Sequence, residues 1–221
     1  FKKQKKLISS SEIIDLQYSE GRILSQDIKS QINIPPFNNS AVDGYALLKK
    51  DLNLKKTFIC KRRVAAGDNK KIVVKSGEAV RVFTGAKMPS NSSTVVMQEN
   101  VKTKGTYVTL LKTPKFGENY RIKGEDIKKN KIILYKGTKI NHQNLNLIAA
   151  AGIRKIKVFK KIKIGFYTSG NELRKPSEKL KNAEINNSNY YALNSLLDKK
   201  YITKKYLGNL KDKDRKSTRL N

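Results

Sequence analysis

The sequence predicts a mixed α and β protein with more than one domain. It should hold a β-rich, barrel-like domain, an extended helical and strand linker region, and the truncated start of an α/β domain. Three observations carry this expectation. Short alternating apolar runs punctuated by Gly, Asn or Pro fill residues 57 to about 140. A strand, a loop of small residues, a helix and a further strand follow over residues 161 to 210. The 221 residues also suffice for more than a single small core.

Taken in order, "SSSEIIDLQYSEGRIL" predicts a helix. Ser9 and Glu12 have capping-box spacing, Ile13, Ile14 and Leu16 form an apolar stripe, and Gly21 marks the stop. "GRILSQDIKSQINIPP" reads as extended chain ending at paired prolines. The runs "TFICKRRVAAG", "KIVVKSGEAVRVFTG", "STVVMQENVKTKGTYVTLLK" and "KIILYKGTKI" read as strands. "NHQNLNLIAAAG" is helical, with Asn141 as N-cap and Gly152 as the C-terminal stop. "IRKIKVFKKIKIGFYTSGNEL" supplies two more strands, and "NSNYYALNSLLDKKYITKKYLGNL" a helix and an extended run.

The expected division is residues 1–34 with 128–158 as N-terminal helix and linker, 35–127 as β-rich domain, and 159–221 as the start of the α/β domain. Two strands and one helix leave a parallel sheet uncovered. The tail "KDKDRKSTRLN" carries no apolar period, and the first residue is Phe1 rather than Met. The sequence is therefore read as a fragment of a longer protein.

A formal net charge of +30 raises the question of nucleic acid. Of the 48 basic residues 39 are Lys, scattered over the whole chain. Readers of nucleic acid concentrate charge and use Arg for bidentate contacts. The Tyr and Phe residues are not interleaved with basic ones as in single-strand binders. The expectation is no nucleic-acid partner, with a basic RNA-associated β-barrel as the lesser alternative. No run reaches the roughly 18 apolar residues of a membrane span, so no membrane partner is expected. Cys60 and His142 are the only residues of their kinds. One of each excludes an internal disulfide and a Cys/His zinc site, and suits a reducing cytoplasm.

Four loops combine small residues with polar or acidic ones. In "FNNSAVDGYA", Asn39 and Ser40 precede Asp43, and Gly44 permits an unusual backbone; the alternative is an Asx-turn with Asp43 capping its own loop. In "RVFTGAKMP", Thr84 and Gly85 end a strand, either cradling an anion or making a plain turn. "NYRIKGEDI" sets Glu125 and Asp126 near Arg121 and Lys123, a constellation for Mg²⁺ or phosphate, or a surface turn with local ion pairs. "YTSGNEL" ends a strand with Ser169 and Gly170, followed by Glu172. Ligands of open α/β sheets bind beyond such strand ends.

In this order and spacing, "PPFNNSAVDGYAL", "GEAVRVFTGAKMP", "TVVMQENV", "NYRIKGEDI", "GTKINHQNLNLIAAAGI", "KIGFYTSGNEL" and "INNSN" resemble one family. It is the molybdopterin molybdenumtransferases of molybdenum-cofactor biosynthesis, the MoeA family, which includes the gephyrin E domain. The resemblance runs from about residue 9 to 214. It implies a transferase that inserts molybdenum from molybdate into adenylylated molybdopterin and releases AMP with Mg²⁺. It also implies a homodimer whose cleft joins the β-rich domain of one subunit to the α/β domain of the other.

By the same resemblance Asp43, Thr84, Asp126 and Glu172 fall on catalytic positions. Asn39, Ser40, Gly85, Arg121, Ser169, Gly170 and Asn189 fall on substrate-binding ones. Glu172 and Asp212 are the implied metal ligands. Two departures bear on that metal, since Asn171 and Asn187 stand where the family usually carries acids. The fragment itself is expected to be inactive. A non-catalytic scaffold of the same fold is the alternative function.

Overall fold

The computed structural model describes residues 10–211. In chain order its longer elements begin with strand β1 (Ser11–Asp15), β2 (Gly44–Leu48), β3 (Thr57–Val64), β4 (Glu78–Val82) and β5 (Ser92–Met97). Then come β6 (Val101–Lys104), β7 (Tyr107–Leu110), helix α1 (His142–Ala150), β8 (Lys155–Phe159), β9 (Ile162–Ser169), α2 (Ser188–Leu196) and β10 (Ile202–Leu210). The chain is β-rich, and these two are its α-helices among the described residues. It divides into two compact units. Among the described residues, one holds 29–131 with 150–152, the other 10–28, 132–149 and 153–211.

The first unit is built on a six-stranded sheet in the order β5-β2-β4-β3-β7-β6. Neighbours are antiparallel except β3 and β4. The outer strands β5 and β6 do not pair, so the sheet is a curled half-barrel rather than a closed barrel. Successive strand residues point to opposite faces, and both faces are covered. Ala46, Val80 and Val95 join one core cluster, while their chain neighbours Leu47, Ala79 and Val96 join another with Phe58 and Leu110. Cys60, half-buried, packs against the second cluster.

In the other unit β1 pairs antiparallel with β8, Ser11 opposite Phe159 and Asp15 opposite Lys155. This corrects the helix expected from residue 9 onward. Ser9 lies outside the described residues, and Glu12 pairs with Arg22 instead of closing a capping box. Arg22 also donates to the Phe159 carbonyl at 2.8 Å. A helix of a few turns is marginal alone, and pairing with β8 satisfies the same backbone groups in another way.

The expectation for α1 holds in detail. Asn141 Oδ1 accepts from the Asn144 N–H at 2.8 Å, and Asn144 Oδ1 accepts from the Asn141 N–H at 3.1 Å, a reciprocal cap. Gly152 takes the left-handed conformation, φ 81°, that ends such helices. Strands β9 and β10 are parallel, Ile162 opposite Ile202, with α2 in the connection between them. That is the strand, helix, strand unit read from the sequence.

Candidate active site

Asp43 directly precedes β2, and Thr84 is the second residue after β4. Because Gly44 stands opposite Val82 in the antiparallel pair, the two residues reach the same end of the sheet. There Asp43 Oδ1 accepts two hydrogen bonds from Thr84, from the main-chain N–H and from the hydroxyl, each 2.8 Å long. The Asp43 carbonyl accepts the Gln98 N–H at 3.1 Å. Glycine at 44 has a steric reason, since a Cβ there would lie 2.1 Å from the Val96 carbonyl oxygen of β5. The Thr84 main-chain N–H, then its hydroxyl, and the charge of Arg81 hold the Asp43 carboxyl below the usual aspartate range. Asp43 is thus an oriented carboxylate, ionised at neutral pH.

The other expected residues of this unit join the same region through short links. Asn39 and Ser40 pair antiparallel with Arg121 and Tyr120. The Gly85 N–H donates to the Ser40 carbonyl at 2.8 Å, and Gly85, φ 77°, turns the chain just after Thr84. Arg121 bridges Glu125 and Asp126, reaching Asp126 Oδ2 at 2.6 Å. Asp126 first, then Glu125, raise the Arg121 pKa above its ordinary value. One carboxylate oxygen of Asp126 is thus engaged by Arg121. Asn39, Ser40, Asp43, Thr84, Gly85, Arg121 and Asp126 therefore form one connected region.

Ser169, Gly170, Glu172 and Asn189 lie in the other unit. Ser169 ends β9, and the Gly170 N–H donates to the Leu210 carbonyl at 3.1 Å. Glu172 folds back over Gly170, its carboxylate oxygens 2.6 Å from where a Cβ would sit. Asn189 stands in the first turn of α2.

Beside these strand ends is a pocket of about 680 Å³. Its walls include Arg174, Lys175, Asn187, Tyr190, Tyr206 and Asn209, but not Ser169, Gly170 or Glu172. Tyr190 packs on Tyr206 with ring centroids 4.6 Å apart. A hydrogen-bond network ties the wall together at Thr168. The Asn187 amide donates to Thr168 Oγ1 at 2.8 Å, and the hydroxyls of Thr168 and Tyr206 lie 2.8 Å apart. Asn209 Nδ2 in turn donates to the Gly170 carbonyl at 2.7 Å. Asn187 also caps α2, its Oδ1 accepting the Tyr190 N–H at 3.1 Å.

Sequence reasoning missed these wall residues. The signal available was the Tyr190-Tyr191 pair in the first turn of α2, and the alternation of β10 that sets Tyr206 two residues before Gly208.

Among the described residues no group of three or more His, Cys, Asp or Glu side chains could hold a metal ion. Glu172 is the one expected ligand within them, as Asp212 lies outside. A lone carboxylate suits only a magnesium whose other ligands are waters and substrate phosphates.

A family model described as the MoeA N-terminal region, domains I and II, matches residues 2–152. The chain belongs to the MoeA family. A molybdopterin molybdenumtransferase of Haemophilus influenzae is 35% identical over 208 residues, covering 93% of this chain and 51% of that protein. One from a Nostoc species is 33% identical over 192 residues, covering 85% of this chain and 44% of that protein. The crystal structure of a molybdopterin biosynthesis MoeA protein from Pyrococcus horikoshii superposes with a TM-score of 0.88 at 33% identity, covering 96% of this chain and 58% of the other. This MoeA-family chain thus spans about half the length of the curated relatives it matches. Among its described residues no helix is long and apolar enough to cross a membrane.

Proposed function

We propose that this chain is part of a molybdopterin molybdenumtransferase, which moves molybdenum from molybdate into adenylylated molybdopterin and releases AMP. The observation that carries the proposal is the match to relatives of that name along nearly the whole chain. The same match favours a transferase over a scaffold. The pocket beside β9 and β10 supports it chemically. Tyrosine rings offer a face to a flat heterocycle, and Arg174 and Lys175 attract its phosphates.

The active form in this proposal is a homodimer working in the cytoplasm. Asp43, clasped by Thr84, orients a polar group of the substrate by accepting a hydrogen bond on its second carboxylate oxygen. Thr168, Asn187 and Asn209 hold the strand-end loop so that the Gly170 backbone keeps a fixed position. Glu172 is the residue that would hold Mg²⁺, and the metal would supply neutralisation of phosphate charge.

The test is molybdate-dependent release of AMP from adenylylated molybdopterin by the complete protein. Asp43→Asn should leave folding intact and lower turnover by about 10²-fold. Unchanged turnover removes Asp43 from the site, and no AMP release by well-folded wild-type protein removes the transferase reading.

A further inference from the structure

Arginine is the minority cation here, 9 of 48 basic residues, and the structure spends it selectively. Among the described residues Arg22, Arg62, Arg121, Arg154 and Arg174 each contact a carboxylate. Arg63 and Arg81 do not, and these two are register partners on the parallel strands β3 and β4. Side chains in register share a face, and like charges placed so are destabilising. The sheet tolerates that cost at one rung.

Arg81 is also held in place. Its guanidinium lies over the Tyr45 ring, 4.8 Å from the centroid, and near the Phe83 ring at 5.2 Å. One of its nitrogens donates to Gln98 Oε1. That leaves most of the five donors of a rigid guanidinium directed by protein contacts and not satisfied by them. Arg63, exposed beside it, adds a second fork. Asp43 feels the Arg81 charge, but its bonded oxygen is already engaged by Thr84. Two arginines in register on adjacent strands, one of them held in place, match the charge of a phosphate group.

We infer that the Arg63–Arg81 rung binds phosphate, either as the free ion or as the terminal group of a larger ligand. The inference rests on the sheet and its unpaired arginines, independently of the transferase reading. Inorganic phosphate and phenyl phosphate serve as probes, titrated calorimetrically into the whole 221-residue chain at fixed ionic strength. Arg63→Gln/Arg81→Gln should weaken phosphate binding at least tenfold while circular dichroism stays unchanged. The charge-matched control Lys102→Gln/Lys104→Gln, on the far edge strand β6, should change it less than twofold. Should the double variant unfold, Arg63→Gln alone, at an exposed position, should still weaken binding severalfold.

Equal affinity for the two probes supports a free-ion site. Tighter binding of phenyl phosphate supports the terminal group of a larger ligand. No saturable binding of either probe, or an equal loss in the lysine control, overturns the inference.

Discussion

The six-stranded sheet and the parallel pair β9–β10 use β-structure in opposite ways. In the sheet, consecutive residues of β2 feed two different core clusters, so both faces are sealed by apolar contact. Asp43 and Thr84 of its site hang on strand ends and belong to neither cluster. On β10 no residue is fully buried, and half-buried and exposed positions alternate along the strand. Cohesion there comes from Phe166, Tyr190 and Tyr206, whose rings pack together, and from the hydrogen bonds around Thr168. Several of those side chains also line the pocket. In one unit stability and site are separable; in the other they are the same atoms.

The contrast breaks first in the sheet core. Phe58 is 1% exposed in the second cluster. Phe58→Ala should cost about 3–5 kcal/mol in urea unfolding, from lost transfer energy plus the cavity left behind. Amide exchange should quicken across β2–β5, while Asp43 and Thr84 keep their contact in the molecules that remain folded. A loss below about 1 kcal/mol would show that this cluster does not seal the sheet.

Sequence made the apolar framework visible because its signals are local. The Asn141 and Asn144 cap, Gly152 and the alternation along β3 to β5 each report on their own neighbourhood. The helix expected from residue 9 failed because pairing with Lys155–Phe159, far along the chain, outweighs a capping pattern. The site divides in the same way. Asp43 and Thr84 were each readable as loop residues, but their two-bond clasp needs the register of β2 with β4. Tyr206, Asn187 and Asn209 carry no motif of their own. They meet only because two distant strands run parallel.

The pocket wall gives a smaller, sharper test. Asn187 caps α2 with its oxygen and ties Thr168 with its amide nitrogen. Asn187→Ala loses both and should cost about 1–2 kcal/mol. Asn187→Asp keeps the cap and suits the helix N-terminus, yet cannot donate to Thr168. It should cost less than alanine and alter the tyrosine fluorescence of the unit, because the Thr168 hydroxyl must turn from Asn209 or Tyr206 to find the new carboxylate. No loss for Asn187→Asp, beside a full loss for Asn187→Ala, would mean that the cap alone matters. Stability and site would then be separable in this unit too.

The smallest effect lies at Asp43, where the comparison predicts a change in titration with the core untouched. Its carboxyl is depressed in the folded state, so the Thr84 contact stabilises the fold above the ordinary aspartate pKa. That contribution fades as pH falls through the depressed value. Thr84→Val removes the hydroxyl donor and leaves the main-chain N–H, which is the larger cause of the depression. Carbon NMR of the Asp43 carboxyl should therefore show the midpoint rising part of the way toward the ordinary value. Arg81→Gln should raise it by less, because its charge is the smallest of the causes. A midpoint that ignores the loss of the Thr84 hydroxyl would show that this second bond does not hold the carboxylate, and that the backbone alone aims it.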